Sequence, residues 1–271
     1  MIGQRCVQQQ IKAAMENKSL AHFIILVGER GSGRKTLAKE VAKWLKAEYA
    51  EVDKGVDAIR SVISDSYSIA TKIMYVLDGD SMSPAAKNAL LKITEEPPKN
   101  VWFVLTVTDI EQTLDTLKSR ACIYRLDNYT KADIARFSGT DDWRFPNFCS
   151  NKYEVDLLLG YGIDEFHKFV KLVVDNIDYA SGANALKISE KIAFKDTDKG
   201  YDLKIFLQAF RTECIDRVQQ FDEYPDKMKY LDWIEITTGK LSVLRTPIIN
   251  KQALFDMWVF DIRAVGSYAD C

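Results

Sequence analysis

The chain has 271 residues, of which 47% are apolar and 28% charged, enough for two or three domains with buried cores and a composition that excludes a disordered chain. A net charge of −2 argues against a protein that coats nucleic acid on its own, because phosphate-driven binding needs a basic surface. The five cysteines, Cys6, Cys122, Cys149, Cys214 and Cys271, are too scattered for a structural zinc site with only two histidines to assist, and no run reaches the ~18 apolar residues of a membrane span. The expectation is a cytoplasmic protein with reduced thiols, no zinc and no membrane contact.

Residues 5–17 predict an amphipathic helix, without the apolar core of a signal peptide. HFIILVG at 22–28 predicts a buried parallel strand that runs into a glycine-rich turn and then the helix TLAKEVAKWLKAEYA. Residues 56–70 predict another helix, KIMYVLDGD at 72–80 a second buried strand and VWFVLTVT at 101–108 a third. Strands alternating with helices imply a doubly wound parallel sheet that binds ligands at the C-terminal ends of its strands. Beyond Tyr124 a polar stretch leads to helical patterns such as EFHKFVKLVVDNI and ANALKISEKIAF; DTDKGYD at 196–202 reads as a charged linker. Helices are expected at about 203–220, 226–238 and 250–265. Trp233, Met257, Trp258 and Phe260 fall at helical spacing, which points to packing or a subunit interface rather than a cofactor box. His22 and His167 have no partner pattern for metal or acid–base work.

The turn Gly28-Glu29-Arg30-Gly31-Ser32-Gly33-Arg34-Lys35-Thr36 approximates a phosphate-binding loop. In such loops glycines let backbone N–H groups approach phosphate, a lysine reaches the β/γ oxygens and a hydroxyl ligates Mg²⁺. Counted from Gly28, Arg34 holds the lysine position and Lys35 the hydroxyl position, so Lys35-Thr36 sits one residue late. A guanidinium is not a geometric copy of an ammonium, and an ammonium cannot coordinate a cation. A glycine-rich turn that holds no nucleotide is the plain alternative. At the end of the second strand Asp78 supplies one carboxylate, Gly79 stands where a water-polarising glutamate belongs, and Asp80 follows. A shift of one residue in a strand reverses side-chain direction, which makes Asp80 a poor substitute unless the backbone turns there.

The stretch NALLKITEEPPKNVWFVLTVTDIEQTLDTLKSR at 88–120 joins a helix, a Pro-Pro break, a strand and a terminal Ser-Arg. It resembles the region of bacterial clamp-loader AAA+ subunits that runs from the helix after Walker B to the Ser-Arg-Cys motif, here Ser119, Arg120 and then Ala121-Cys122. Ile2-Gly3-Gln4, Leu20-Ala21-His22-Phe23 and Asp57-Ala58-Ile59-Arg60 are similar to other parts of the same family. The resemblance implies an AAA+ P-loop parallel-sheet domain at 1–125, a helical lid at 126–195 and an all-helical collar at 196–271. It makes Thr108 a sensor of the γ-phosphate, with a plain strand-end residue equally open. It implies that Arg120, after Ser119, is an arginine finger offered to the ATP of an adjacent subunit, against the simpler reading of a surface ion pair. A sensor arginine of the lid would fall at Ala183, where this chain has none. The cysteine-rich zinc module common between the two nucleotide motifs of relatives is absent, and the length suits a compact or phage-encoded version.

A nucleotide site degenerate at Gly28, Gly31, Gly33, Arg34, Lys35, Thr36, Asp78 and Thr108, beside an intact Ser119-Arg120, resembles the delta-prime, or stator, subunit of DNA polymerase III. The resemblance implies weak or absent binding of ATP and Mg²⁺ and no intrinsic ATPase. The implied partners are other clamp-loader ATPase subunits, a sliding clamp and primer-template DNA held through the assembly. Two alternatives stand beside it. An active motor-type ATPase subunit needs Lys35-Thr36 to slip into register and Asp80 to replace the glutamate, and a stand-alone DNA-binding adaptor needs affinity that the acidic balance does not favour.

Overall fold

Every residue of β1 (Phe23–Val27) and β4 (Val101–Val107) is buried, which a strand achieves only when helices cover both faces of its sheet. The computed structural model describes residues 1–177, 187–195, 198–221, 224–244 and 249–266, and the chain divides into two compact units, Met1–Tyr129 and Thr130–Cys271.

In the first unit five parallel strands lie in the order β2-β3-β4-β1-β5, with β2 (Glu48–Glu51), β3 (Ile73–Asp78) and β5 (Cys122–Arg125) flanking the two central strands. Side chains alternate between faces along each strand. Ile24, Leu26, Met74, Val76 and Val104 pack with Val7 and Ile11 of α1 (Arg5–Glu16) and Leu37, Ala38 and Val41 of α2 (Arg34–Leu45). Phe23, Ile25, Tyr75, Leu77 and Phe103 pack with Ile59 of α3 (Val56–Ser66), Leu90 and Ile93 of α4 (Pro84–Glu95) and Leu117 of α5 (Asp115–Lys118). Helix α4 begins at Pro84, whose missing N–H costs nothing in the first turn, with Ser83 Oγ accepting from Ala86 N.

The helix expected through Ala50 stops at Leu45. Lys46 takes a left-handed conformation (φ 55°) that ends the helix, and Glu48–Glu51 becomes the edge strand β2. An edge strand with charged ends carries little apolar periodicity, so the helix-like composition of KAEYA misleads.

In the second unit the described helices are α6 (Lys131–Ser138), α7 (Arg144–Phe148), α8 (Lys152–Tyr161), α9 (Ile163–Asn176), α10 (Leu203–Gln220), α11 (Tyr224–Val243) and α12 (Lys251–Gly266). A short parallel pair, β6 (Ile192–Ala193) and β7 (Tyr201–Asp202), replaces part of the helix and linker expected there. Ala183, and the start of the ANALKISEKIAF pattern, lie outside the described residues, as do Asp196 and Cys271. Helix α10 is central, with Leu203, Ile205, Phe206, Leu207 and Phe210 fully buried and packed on α7, α9 and α11. Trp233 and Trp258 close the core around Phe210, and each indole N–H is satisfied, by Ile262 O and Thr237 Oγ1. Met257 and Phe260 face outward, 57% and 74% exposed. Among the described residues no helix is long and apolar enough to cross a membrane.

The segments read from sequence as lid and collar therefore share one core. Each large apolar side chain of α10 contributes about 1.5–3 kcal/mol by its burial, so the five together match the whole stability of a typical domain, about 5–15 kcal/mol. Ending the chain at residue 199 is expected to unfold the rest of the second unit and to leave residues 1–129 folded. Limited proteolysis of the shortened protein checks this: a resistant fragment ending near residue 129 is expected, and one extending to 195 would show that the lid segment folds alone.

Candidate functional site

The turn after β1 is held in place from below and from the side. Gln4 Nε2 donates to Asp127 O (2.7 Å) and Ser32 O (3.4 Å), while Gln4 Oε1 accepts from Asp127 N (2.8 Å). Tyr129 Oη donates to Ser32 O at 2.7 Å. Gly33 caps α2 with φ 94°, and a Cβ there would lie 2.6 Å from Tyr129 Oη and 2.7 Å from Met1 Cε, so only glycine fits. A Cβ on Gly28 would meet Ser32 Oγ, itself buried without a hydrogen-bond partner, at 2.6 Å. Gly31 also adopts positive φ, 84°. Loop and helix thus have the backbone form of a phosphate cradle.

Its side chains are committed elsewhere. Strand β3 ends at Asp78, the backbone turns through Gly79 and Asp80, and the Asp80 carboxylate enters the site. Arg34 Nη1 donates to Asp80 Oδ2 at 3.0 Å; Thr108 N and Thr108 Oγ1 donate to Asp80 Oδ1 at 2.8 and 3.1 Å. The strand-alternation argument against Asp80 fails here because the turn reorients the side chain. What Asp80 gains is not the glutamate's role: it engages the residue in the phosphate-binding lysine's place and the residue in the sensor's place at once.

Lys35, in the metal-ligand position, points toward the sheet edge, where Lys35 Nζ donates to Glu51 Oε2 at 2.6 Å. Tyr49 Oη donates to Glu51 Oε1 at 2.9 Å and Lys39 lies 3.8 Å from the same carboxylate. The hydrogen bond from Lys35 holds the Glu51 carboxyl below the usual carboxylate range, and burial, then Glu51, pushes the Tyr49 hydroxyl up. Thr36 is exposed and lines a groove with Lys39, Lys43 and Tyr49 on the α2–β2 side. The Asp78 carboxylate is exposed and makes no ion pair among the described residues. Gly79 has no room for a carboxylate side chain, since a Cβ would lie 2.7 Å from Val107 Cγ1 and 3.0 Å from Leu105 Cδ1. These residues do not fit Mg²⁺-ATP: the phosphate-binding cation is paired, the metal hydroxyl is replaced and turned away, and an extra anion sits among them. Among the described residues no group of three or more His, Cys, Asp or Glu side chains is placed to hold a metal.

Ser119 and Arg120 lie at the other end of the sheet. Cys122 is level with Ile24 near the start of β1, whereas the phosphate loop follows Val27 at its end. At about 3.3 Å per residue the start of β5, which the turn carrying Arg120 precedes, lies roughly 13 Å from the level of Gly28 along the strand direction. The arginine cannot reach the loop of its own chain. Arg120 Nη1 donates to Thr116 O (2.7 Å), Arg120 Nη2 donates to Glu95 Oε1 (2.7 Å), and Ser119 Oγ donates to Thr116 O (3.1 Å). The arginine side chain is 34% exposed and Glu95 55%. Sequence reasoning missed Gln4, Glu51, Glu95 and Tyr129 as site residues, because each acts across 16 to 123 positions of chain; Gln4 and Glu95 fall inside stretches of family resemblance that do not mark these partners.

Residues 52–130 match a family model described as DNA polymerase III, delta subunit. The chain is similar to the DNA polymerase III subunit gamma of Buchnera aphidicola (29% identical over 169 residues, 51% of this chain and 47% of that one). It is also similar to the DNA polymerase III subunit delta' of Escherichia coli (41% identical over 76 residues, 27% of this chain and 23% of that one). A solved DNA polymerase III gamma subunit-related protein of Thermotoga maritima aligns over 95% of this chain and 99% of its own, at 17% identity and a TM-score of 0.49. The matches span less than half the length of these curated relatives. The family-model match over residues 52–130 and the relatives named DNA polymerase III gamma and delta' support a member of the clamp-loader AAA+ family.

Proposed function

We propose that this chain is a clamp-loader subunit of the delta-prime, or stator, type, which binds partner ATPases, hydrolyses no ATP of its own and offers Arg120 to the ATP of a neighbour during loading of a sliding clamp on primer-template DNA. The observation that carries this reading is the Arg34–Asp80–Thr108 cluster, an internal carboxylate in the place of phosphate. Arg120 completes it: exposed, distant from its own loop and with a fork already aligned by Thr116 O and Glu95. In a neighbour's site the guanidinium would exchange the Glu95 carboxylate for γ-phosphoryl oxygens and neutralise charge that develops on them in the transition state. The rival reading, an active motor subunit, draws on the gamma-named relative. It requires Lys35-Thr36 to slip into register, although Lys35 is engaged by Glu51, and Asp80 to replace the glutamate, although Arg34 and Thr108 hold its carboxylate.

The isolated protein is expected to show no steady-state ATP hydrolysis near the usual enzyme range of about 1 s⁻¹ or more, and weak, Mg²⁺-insensitive ATP binding by calorimetry. Asp80→Asn frees Arg34 and removes a charge that would face bound phosphate. Two unit charges about 4 Å apart interact by ~4 kcal/mol near a protein surface, so even partial relief should raise ATP affinity at least ~10-fold. Turnover in the unaltered protein that Asp78→Ala abolishes would instead establish the motor subunit.

Arg120→Ala should leave folding and assembly unchanged, since an exposed ion pair contributes about 0–1 kcal/mol. With its partner ATPases it should depress clamp loading, the affected site losing up to ~10³-fold or more in hydrolysis. Arg120→Lys should rescue little, because one ammonium does not reproduce the planar fork. Loading at the unmodified rate by an alanine variant that assembles normally would reduce Arg120 to a surface residue.

A further inference from the structure

The second unit contains a cavity of about 490 Å³ that none of the preceding chemistry uses, bounded by α8, the β6–β7 pair and the start of α12. Three tyrosines, Tyr153, Tyr161 and Tyr201, and three lysines, Lys195, Lys199 and Lys251, line it. Tyr161 and Tyr201 meet edge to face with ring centroids 5.2 Å apart, and Tyr201 is backed by Phe166 and Phe169, so the aromatic wall is rigid. Tyr161 Oη accepts from Asp202 N at 3.1 Å, which leaves its proton to donate.

The electrostatics of the lining are asymmetric. Its two carboxylates are already occupied by backbone N–H groups: Asp198 Oδ2 accepts from Phe194 N (3.2 Å) and Lys195 N (2.9 Å), and Asp202 Oδ1 from Lys204 N (2.9 Å) and Ile205 N (3.1 Å). The ammonium groups of Lys195, Lys199 and Lys251 make no ion pair or hydrogen bond among the described residues. Gly200, with φ 152°, brings the second strand against the first so closely that a Cβ would stand 2.8 Å from Lys191 O. Its neighbours Lys199 and Tyr201 are thereby held at the cavity.

We propose that this cavity binds a nucleotide unit, with the base against the tyrosine wall and the phosphate on the lysines. Aromatic rings beside uncommitted ammonium groups are what sequence-tolerant recognition of single strands uses, since every base has a π-face. Lysines suit phosphate as mobile point charges, whereas a carboxylate-bearing peptide is better met by the forked guanidinium that this lining lacks. The ligand is either a free nucleotide or a nucleotide within a single strand. Only three cations take part, so binding should weaken steeply with salt and be modest in the isolated chain.

The test is fluorescence anisotropy of the full-length protein with a labelled oligothymidylate of about 15 nucleotides at low salt, alongside calorimetry with thymidine monophosphate and with ATP. Saturable binding of the oligonucleotide, weakened about tenfold or more by Lys195→Gln/Lys199→Gln/Lys251→Gln and about fivefold or more by Tyr153→Leu, is the expected result. Lys87→Gln, outside both sites, should leave oligonucleotide binding unchanged, which separates the cavity from general surface charge. Binding of the free nucleotides that is lost in the same variants identifies a mononucleotide ligand; binding of the oligonucleotide alone identifies the strand. The lysine variant alters side chains that make no ion pair or hydrogen bond among the described residues, so its melting temperature should match the unmodified protein and it decides the matter even if the tyrosine variant misfolds. Oligonucleotide affinity unchanged in the lysine variant, no binding of any arm at millimolar concentration, or preferential binding of a polyglutamate peptide would overturn the proposal.

Discussion

The contact on which the first unit's behaviour turns is the ion pair between Arg34 and Asp80. A phosphate loop collects positive charge, from backbone N–H groups, a helix N-terminus and one cation, and that charge attracts an anion. Here the anion is supplied by the same chain. A nucleotide must displace it and then coexist with a carboxylate beside its own phosphates. The loss of one conserved-type lysine need not silence such a loop, because an arginine binds phosphate well. An arginine already paired, next to a carboxylate that also takes both donors of Thr108, is a different matter.

The same sheet that brings these groups together keeps Arg120 away from them. Asp78 lies level with Thr106 across the β3–β4 pair, so the turn after β3 and the strand end carrying Thr108 converge on the loop after β1. Strand β5 runs parallel to β1, and the segment before it must therefore emerge at the sheet's opposite end. A parallel sheet places all strand ends of one kind on one side, and Arg120 precedes its strand whereas the loop follows its own. The arginine's separation from its own loop is thus a property of topology, independent of how its side chain is oriented.

What the sequence made legible was local. Apolar runs marked β1, β3 and β4, and the glycine spacing marked the loop, because burial on both faces and close backbone approach leave signatures within a few residues. The displaced Lys35-Thr36 was legible too, and Lys35 does turn away, to Glu51. That partner was invisible because the strand bearing it looks like the tail of α2, and only the left-handed Lys46 separates them. Gln4 and Tyr129 clamp the loop from chain positions far before and after it, and the resemblance of Ile2-Gly3-Gln4 to the family says nothing of that contact. For Asp80 the sequence left open a turn at the strand end, and the turn is there, because alternation holds within a strand and ends where the strand does; the partners it meets, Arg34 and Thr108, were not foreseen.

Gly79 and Asp80 have to be considered as a pair. The tight turn that carries Asp80 inward presses residue 79 against Leu105 and Val107, both buried in the central strand β4. A glutamate at 79 would have to displace the side chains of Leu105 and Val107 or move the turn that carries Asp80. A single substitution at 79 meets the side chains of β4, and a single substitution at 80 frees the cation without supplying the carboxylate. On the stator reading proposed above, a catalytic site would need a carboxylate at 79, a freed cation at 34 and a hydroxyl at 35, each a separate change to groups that now hold one another in place.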